Sequence, residues 1–384
     1  MVKSFTALPP LHRILMAATL IATVAGSIAC EEAVLRRPPE VSDVYTQNVA
    51  ASVDILWMID NTPTMIEEHE ALAASFNSFI AQLDSSAVNY RVGVITADAN
   101  ERGVLRTGAA NKAIHQAAGV HWPHPEPTYD IPYITPETED PQAAFTQMVA
   151  VGIWGAWKEQ GMETTTMALG IGPGWNGLSQ PNPPSANQDF LRHDAALFII
   201  MVSDEDDMSY GPVQYYYRAI SSYKGRGNDG RISVSAIVGP PPQPGVEDDP
   251  GGCHEADRGS AVWGARYIEL ASLTGGVATS ICEDFNESLA TLSYAAAGLS
   301  QKFGPLSRPH NPMARIICDD AYNDRPFCVK VNEVPVPYGR PNGWELLEEQ
   351  VGGVTQSYIF FYGDAVPPPQ SKISITYLAA GASL

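Results

Sequence analysis

The chain has 384 residues, 45% of them hydrophobic and 17% charged, a globular composition that excludes a disordered or fibrous protein. Its length exceeds that of a usual single domain, so two folded units behind a leader are expected. With 23 Lys and Arg against 43 Asp and Glu, the formal charge of −20 sets the surface against nucleic acid and anionic lipid and in favour of cations and basic partners.

Residues 1–29 carry Lys3, His12 and Arg13 ahead of an uncharged apolar run, Ile14 to Ala29, that ends in small residues. This is the pattern of a secretory signal peptide, and the run is shorter than the ~20 residues that an unprocessed membrane helix needs. The leader holds no acid, so the negative charge belongs to the mature chain. Ser27-Ile28-Ala29-Cys30 resembles the lipobox of bacterial lipoproteins, which implies lipid on Cys30 and anchoring to a bacterial membrane at the cell envelope. Ser-Ile-Ala also suits an ordinary signal peptidase, so a periplasmic or secreted soluble protein is the alternative. Residues 30–50 lack a strong period and read as the anchored Cys and its tether.

The first folded unit is expected over 51–300. Val53 to Ile59 is a nearly continuous apolar strand, suited to a sheet covered on both faces. Glu67 to Leu83 sets Leu72, Phe76, Phe79, Ile80 and Leu83 at helical intervals, and Tyr90 to Thr96 returns to strand composition, completing a β-α-β unit. Residues 100–140, rich in Pro, His, Gly and aromatics, read as a surface insertion in which His115, His121 and His124 suit a wet recognition loop better than a second metal. Helices are expected at 141–161 and 164–169, and a Gly/Pro-rich loop over 170–187 in which Gly170 to Gly174 is a turn rather than a phosphate loop. A second apolar strand follows at 195–202, a helix at 215–223, a strand at 232–238, a helix at 261–274, a short strand at 276–281 and a helix at 285–299. This alternation predicts an α/β fold with a mainly parallel sheet covered by helices on both faces. Beyond about residue 300 the pattern changes to short strands punctuated by Pro, Gly and Asn, predicting a small all-β domain over 301–384.

Asp60 and Asp204 each follow an apolar strand, at the end of the sheet where open α/β folds bind ligands. Asp60-Asn61-Thr62-Pro63-Thr64 offers a carboxylate and two hydroxyls from one tight loop, hard oxygen donors suited to Mg²⁺, Ca²⁺ or Mn²⁺. A helix cap is the bland reading of such a loop. The loop, with Ser203-Asp204-Glu205, resembles the metal-ion-dependent adhesion site of von Willebrand factor A domains, over roughly residues 50–300. The resemblance implies a von Willebrand A-type fold, metal held by Asp60, Thr62, Thr64 and Asp204, and a middle-loop ligand, here Thr164 with Glu163 as its rival. Glu205 to Asp207 read as a solvated loop or helix start, with a further calcium site as the sharper alternative. The whole pattern is also similar to uncharacterised von Willebrand A lipoproteins of myxobacteria.

Cys253, Cys282, Cys318 and Cys328 are an even number in a chain that reads as exported, so two disulfides are expected. Of the three connectivities, Cys253–Cys282 with Cys318–Cys328 is preferred because each closes a local loop; no Cys-x-x-Cys spacing supports zinc. The resemblance implies a non-enzymatic adhesion or scaffold protein whose cation is completed by an acidic side chain of a protein partner. An envelope spacer with an empty site, and behind it a surface hydrolase, are the alternatives; no nucleophile motif is visible.

Overall fold

The structure is a computed structural model that describes residues 39–47, 52–127, 130–171, 182–225, 231–246, 248–255, 259–313, 315–318, 325–351 and 354–380. The leader, Cys30, the tether up to residue 38 and the turn at 172–174 lie outside the described residues. Among the described residues, no helix is long and apolar enough to cross a membrane.

A five-stranded sheet in the order β3-β2-β4-β5-β8 forms the centre. Its strands are β2 (Ser52–Ile59), β3 (Asn89–Thr96), β4 (Ala196–Val202), β5 (Ile232–Val238) and β8 (Ala278–Ser280), all parallel. The period of two along β2 divides the core. Val53, Ile55, Trp57 and Ile59 face one layer and Leu56 and Met58 the other.

The first layer holds α1 (Ile66–Ser85), α3 (Pro141–Val149) and α7 (Phe285–Ala296). The apolar stripe of α1, Leu72, Phe76, Phe79 and Leu83, meets Trp57 and Phe145 in a cluster of rings; Trp57 stands edge-on to Phe79 and to Phe145 at 5.4 Å. The second layer holds α4 (Gly161–Ala168), α5 (Val213–Ser221) and α6 (Ala265–Leu273), which supply Met162, Tyr216, Ile220, Tyr267 and Leu270. The α/β architecture expected from the sequence is therefore present, with helices on both faces.

Between β3 and α3 the insertion is more than a surface loop. It forms α2 (Gly108–Ala117), bridges back onto β3 through Val92 and Ile134, and buries Leu105, Trp122 and Ile134. Residues 150–160, expected to be helical, run as irregular chain after α3 ends at Val149.

The remainder is antiparallel. β1 (Glu40–Thr46), β14 (Lys372–Leu378), β10 (Phe327–Val331) and β11 (Val334–Pro335) form one sheet; β12 (Trp344–Val351), β13 (Val354–Phe361) and β9 (Lys302–Phe303) form another. They pack through Phe327, Trp344, Phe361 and Tyr377. A short hairpin of β6 (Cys253–Glu255) and β7 (Gly259–Ala261) completes the strands. Both expected disulfides form, Cys253–Cys282 and Cys318–Cys328, as suits an exported protein.

Residues 40–46 correct the sequence reading: this part of the tether is strand β1, paired with β14 in an unbroken register from Glu40↔Leu378 to Thr46↔Lys372. Gln47, almost fully buried, then donates to the carbonyls of Ser300 and Pro367 and accepts from the Ser300 amide. The polar alternation of Glu-Val-Ser-Asp-Val-Tyr-Thr is that of a half-covered edge strand, with Val41 and Tyr45 turned to the core.

Candidate metal centre

β3 lies on one side of β2 and β4 on the other, so the chain reverses direction across the sheet at the β2/β4 boundary. Loops diverge there and leave a crevice beyond the carboxyl ends of the strands. Asp60 and Asp204 flank it. The Asp60 amide donates to the Val202 carbonyl at 3.0 Å, which locks the two loops together.

The Asp60 carboxylate organises the loop. Its Oδ1 accepts from the Thr62 amide at 2.9 Å and from the Thr62 hydroxyl at 2.7 Å, and its Oδ2 accepts from the Ser203 hydroxyl at 2.7 Å. Because Thr62 Oγ1 spends its proton on Asp60, its lone pairs remain free to ligate a cation. Thr64 Oγ1 lies 3.4 Å from Thr62 Oγ1. A single 3-10 turn, Pro63–Met65, carries Thr64 between the loop and α1, with Pro63 at its first position where no amide donor is needed. His69, one turn into α1, bonds the Asp60 carbonyl through Nε2 at 2.7 Å. A carbonyl only accepts, so Nε2 carries the proton, and burial pushes the His69 pKa down so that the ring stays neutral.

Asp204 is buried, and its Oδ1 has no hydrogen-bond partner. Burial first, then the charges of Asp60 and Glu205, push its pKa up to about 6 against the pull of the Thr64 hydroxyl. Two further carboxylates close on the same crevice. Glu159 is 1% exposed and no N–H or hydroxyl donor reaches its oxygens; burial, then Asp60 and a carboxyl–carboxyl contact with Glu205, push its pKa up to about 8. Glu68, in the first turn of α1, leaves Oε2 buried and unpartnered, and burial with Asp204, Glu67 and Asp60 raises its pKa to about 7. An unpaired buried carboxylate is costly; several facing one another mark a functional site.

These residues fit a divalent cation. Thr62 Oγ1, Thr64 Oγ1 and Asp204 Oδ1 are hard oxygen donors of the kind Mg²⁺, Ca²⁺ and Mn²⁺ prefer, and the orphaned carboxylates supply the compensating charge. Among the described residues no three acidic, His or Cys side chains form a ready metal cage by themselves. The donor set depends on hydroxyls.

The middle-loop residues Glu163 and Thr164 lie in the first turn of α4. Thr164 is fully buried in α4, where its hydroxyl donates to the Gly161 carbonyl at 3.1 Å, and Glu163 accepts from the Tyr216 hydroxyl at 2.7 Å. No hydrogen bond among the described residues joins either to the Asp60 loop. Glu163 keeps Oε1 buried without a partner, as do both oxygens of Glu159, just upstream, which faces Asp60. Gly161 makes that approach possible: a Cβ there would come within 2.4 Å of Met58 Cε and 2.6 Å of Tyr267 Oη.

Asp207 is buried and structural rather than solvated, and Asp206 is half-buried. Asp206 Oδ1 accepts from the Arg266 amide, and Asp207 accepts from the Met162 amide and the Ser209 hydroxyl while pairing with the Arg266 guanidinium at 3.1 Å. Both oxygens of Asp207 are thereby engaged, while Glu205 and Asp206 remain partly exposed. Sequence reading missed Glu68 and Glu159, and named Ser203 without giving it a role. Only Ser203 carried a signal, as the immediate neighbour of Asp204.

No family model matches the chain, and no curated protein matches it. Among solved structures it is similar to proximal thread matrix protein 1 from the mussel byssus, at 12% identity over 65% of this chain and 48% of that one, TM-score 0.33. The chain thus spans about half of the mussel protein. It is also similar to an aerotolerance-related membrane protein from Bacteroides fragilis, at 13% identity over 64% of this chain and 98% of that one, TM-score 0.31. BatB from Bacteroides thetaiotaomicron shows 14% identity over 63% of this chain and 95% of that one, TM-score 0.30. Likeness this distant carries no argument about the site, which rests on its own geometry.

Proposed function

We propose that this is an exported, envelope-anchored adhesion or scaffold protein of the von Willebrand A lipoprotein kind, lipidated at Cys30, that holds a protein partner through a divalent cation. The cation, Mg²⁺, Ca²⁺ or Mn²⁺, would accept an oxygen from an acidic side chain of that partner. The observation that carries the reading is the set of buried, unpartnered oxygens on Asp204, Glu159 and Glu68 around the Asp60 loop, at the switch point of the sheet.

The chain's own groups divide the work. Asp60, fixed by three hydrogen bonds, shapes the loop and supplies charge; Thr62 and Thr64 present hydroxyl oxygens; Asp204 presents Oδ1. Thr64 and Pro63 are exposed and form the lip over which a partner would reach. A spacer with a permanently empty site would keep this cost of buried like charge without return, so the cation-binding reading is preferred.

Calorimetric titration of Mg²⁺, Ca²⁺ and Mn²⁺ into residues 31–384, beside Asp60→Ala and Asp204→Ala, tests it. Saturable binding lost in both variants is the expected result; no binding by the parent would overturn the cation mechanism and leave the spacer.

A further inference from the structure

A cavity of about 330 Å³ opens beside the cation loop, where the insertion packs on the first turns of α1 and on the chain leaving α3. Ile66, His69, His115, Val120, His124 and Trp154 line it. We infer that this cavity is the second half of the partner-binding surface and takes one bulky apolar side chain, preferably aromatic, next to the acidic residue that reaches the cation. This rests on the proposed function.

The two half-sites share their walls. Ile66 follows Thr64 by two residues, the His69 ring bonds the Asp60 carbonyl, and the Gly155 amide, just past Trp154, donates to the Asn61 carbonyl at 2.9 Å. A Cβ on Gly155 would lie 2.4 Å from Asn61 Oδ1, so the far wall sits directly against the Asn61 side chain of the cation loop, and a larger residue would have to displace that amide. Whatever occupies one half-site therefore abuts the other.

The lining suits a ring. His115 stands edge-on to Trp154 at 4.9 Å and to Trp122 at 5.1 Å, and Trp122 is edge-on to His124 at 5.0 Å. Such a framework offers further ring faces and edges at the separations aromatic pairs prefer. The imidazoles are not a metal cage among the described residues: His115 Nδ1 is engaged with the Asn111 carbonyl and His69 Nε2 with Asp60. Burial pushes the pKa of His124 down, which favours an uncharged wall. The rim leaves Ile66 48%, Val120 44% and Trp154 42% exposed, an apolar mouth on a strongly acidic molecule. The volume falls at the lower end for ligand pockets, enough for one side chain and too little for a large cofactor.

The test uses ligand-observed NMR on residues 31–384 with 2-phenylethanol, which has a ring only; propionate, which has a carboxylate only; and phenylacetate, 3-phenylpropionate and 4-phenylbutyrate, which tether the two. Each is titrated in EDTA and with saturating Ca²⁺ or Mg²⁺. The expected result is 2-phenylethanol binding in both conditions, abolished by the rim-filling variants Val120→Trp and Ile66→Trp, and a tenfold or greater gain from the cation for at least one tethered probe.

No binding of 2-phenylethanol, or binding untouched by both variants, would overturn the assignment. Self-association or vesicle binding blocked by Val120→Trp, without aromatic-probe binding, would overturn it in favour of a second copy or a lipid. Tethered probes binding no tighter than 2-phenylethanol, in protein that calorimetry shows to be cation-loaded, would overturn the pairing of the half-sites alone. Protein that takes up no cation would instead overturn the proposed function.

Discussion

Asp204 and Glu159 hold buried carboxylate oxygens that no N–H or hydroxyl donor among the described residues satisfies, while the neighbouring Asp60 accepts three hydrogen bonds. Repulsion among them should make the cation-free protein gain from neutralisation. Asp204→Asn and Glu159→Gln are each expected to raise the thermal midpoint in EDTA by a few degrees, about 1 kcal/mol in a chain of this size, while weakening cation affinity tenfold or more. Thermal unfolding beside calorimetry checks both directions; a lowered midpoint in EDTA would show that the carboxylates are not in conflict. The same groups fix the pH dependence. Asp204, Glu68 and Glu159 have folded pKa values of about 6, 7 and 8, all above their unfolded values near 4, so the folded state binds more protons between those limits. Their contribution is full below about pH 4 and is lost as pH rises through 6 to 8. Denaturant titrations in EDTA should thus show stability falling from pH 5 to pH 8, and added Ca²⁺ should restore more at pH 8 than at pH 5.

At the opposite end of β2 the sheet contains a buried charge that is fully paired. Asp54, 0% exposed, accepts from the Arg192 amide at 2.6 Å and from its guanidinium at 2.7 Å, and Arg192 also bonds the Val53 carbonyl. Arg192→Met would strand that carboxylate and is expected to cost about 3 kcal/mol, measured by urea unfolding near neutral pH. The elements of the parallel sheet were legible because runs such as Leu197 to Val202 are apolar throughout, and only a doubly covered strand has that composition. The loop donors were legible for the same reason, since Asp60 and Asp204 terminate such runs. Other elements depend on partners distant in sequence. Trp344-Glu-Leu-Leu-Glu-Glu-Gln-Val351 has helix-forming composition but is strand β12, because eight residue pairs with β13 override propensity. β1 was hidden likewise, its partner β14 lying more than 300 residues away. Glu159 could not be found because it sits on irregular chain, where no periodicity indicates direction.

Across the whole molecule one apolar core runs from Val53 and Leu72 through Leu289 and Leu292 to Phe303, Phe361 and Tyr377, joining the layer beneath the parallel sheet to the antiparallel sheets. The Tyr294 hydroxyl on α7 donates to the Gly363 carbonyl across the same junction. Residues 52–300 alone are therefore expected to unfold with lower cooperativity than residues 31–384, and calorimetric scans of both should show one transition for the longer chain and a broadened, earlier one for the fragment. Strand β1 gives this arrangement a mechanical side. Covalently, it stands between residue 39 and β2, whose far end carries Asp60. Were the N-terminus anchored and a partner held at the proposed cation site, tension between them would first pass through the seven-residue β1–β14 ladder. That ladder would then act as a fuse, yielding to release β1 while the parallel sheet beyond it stays folded.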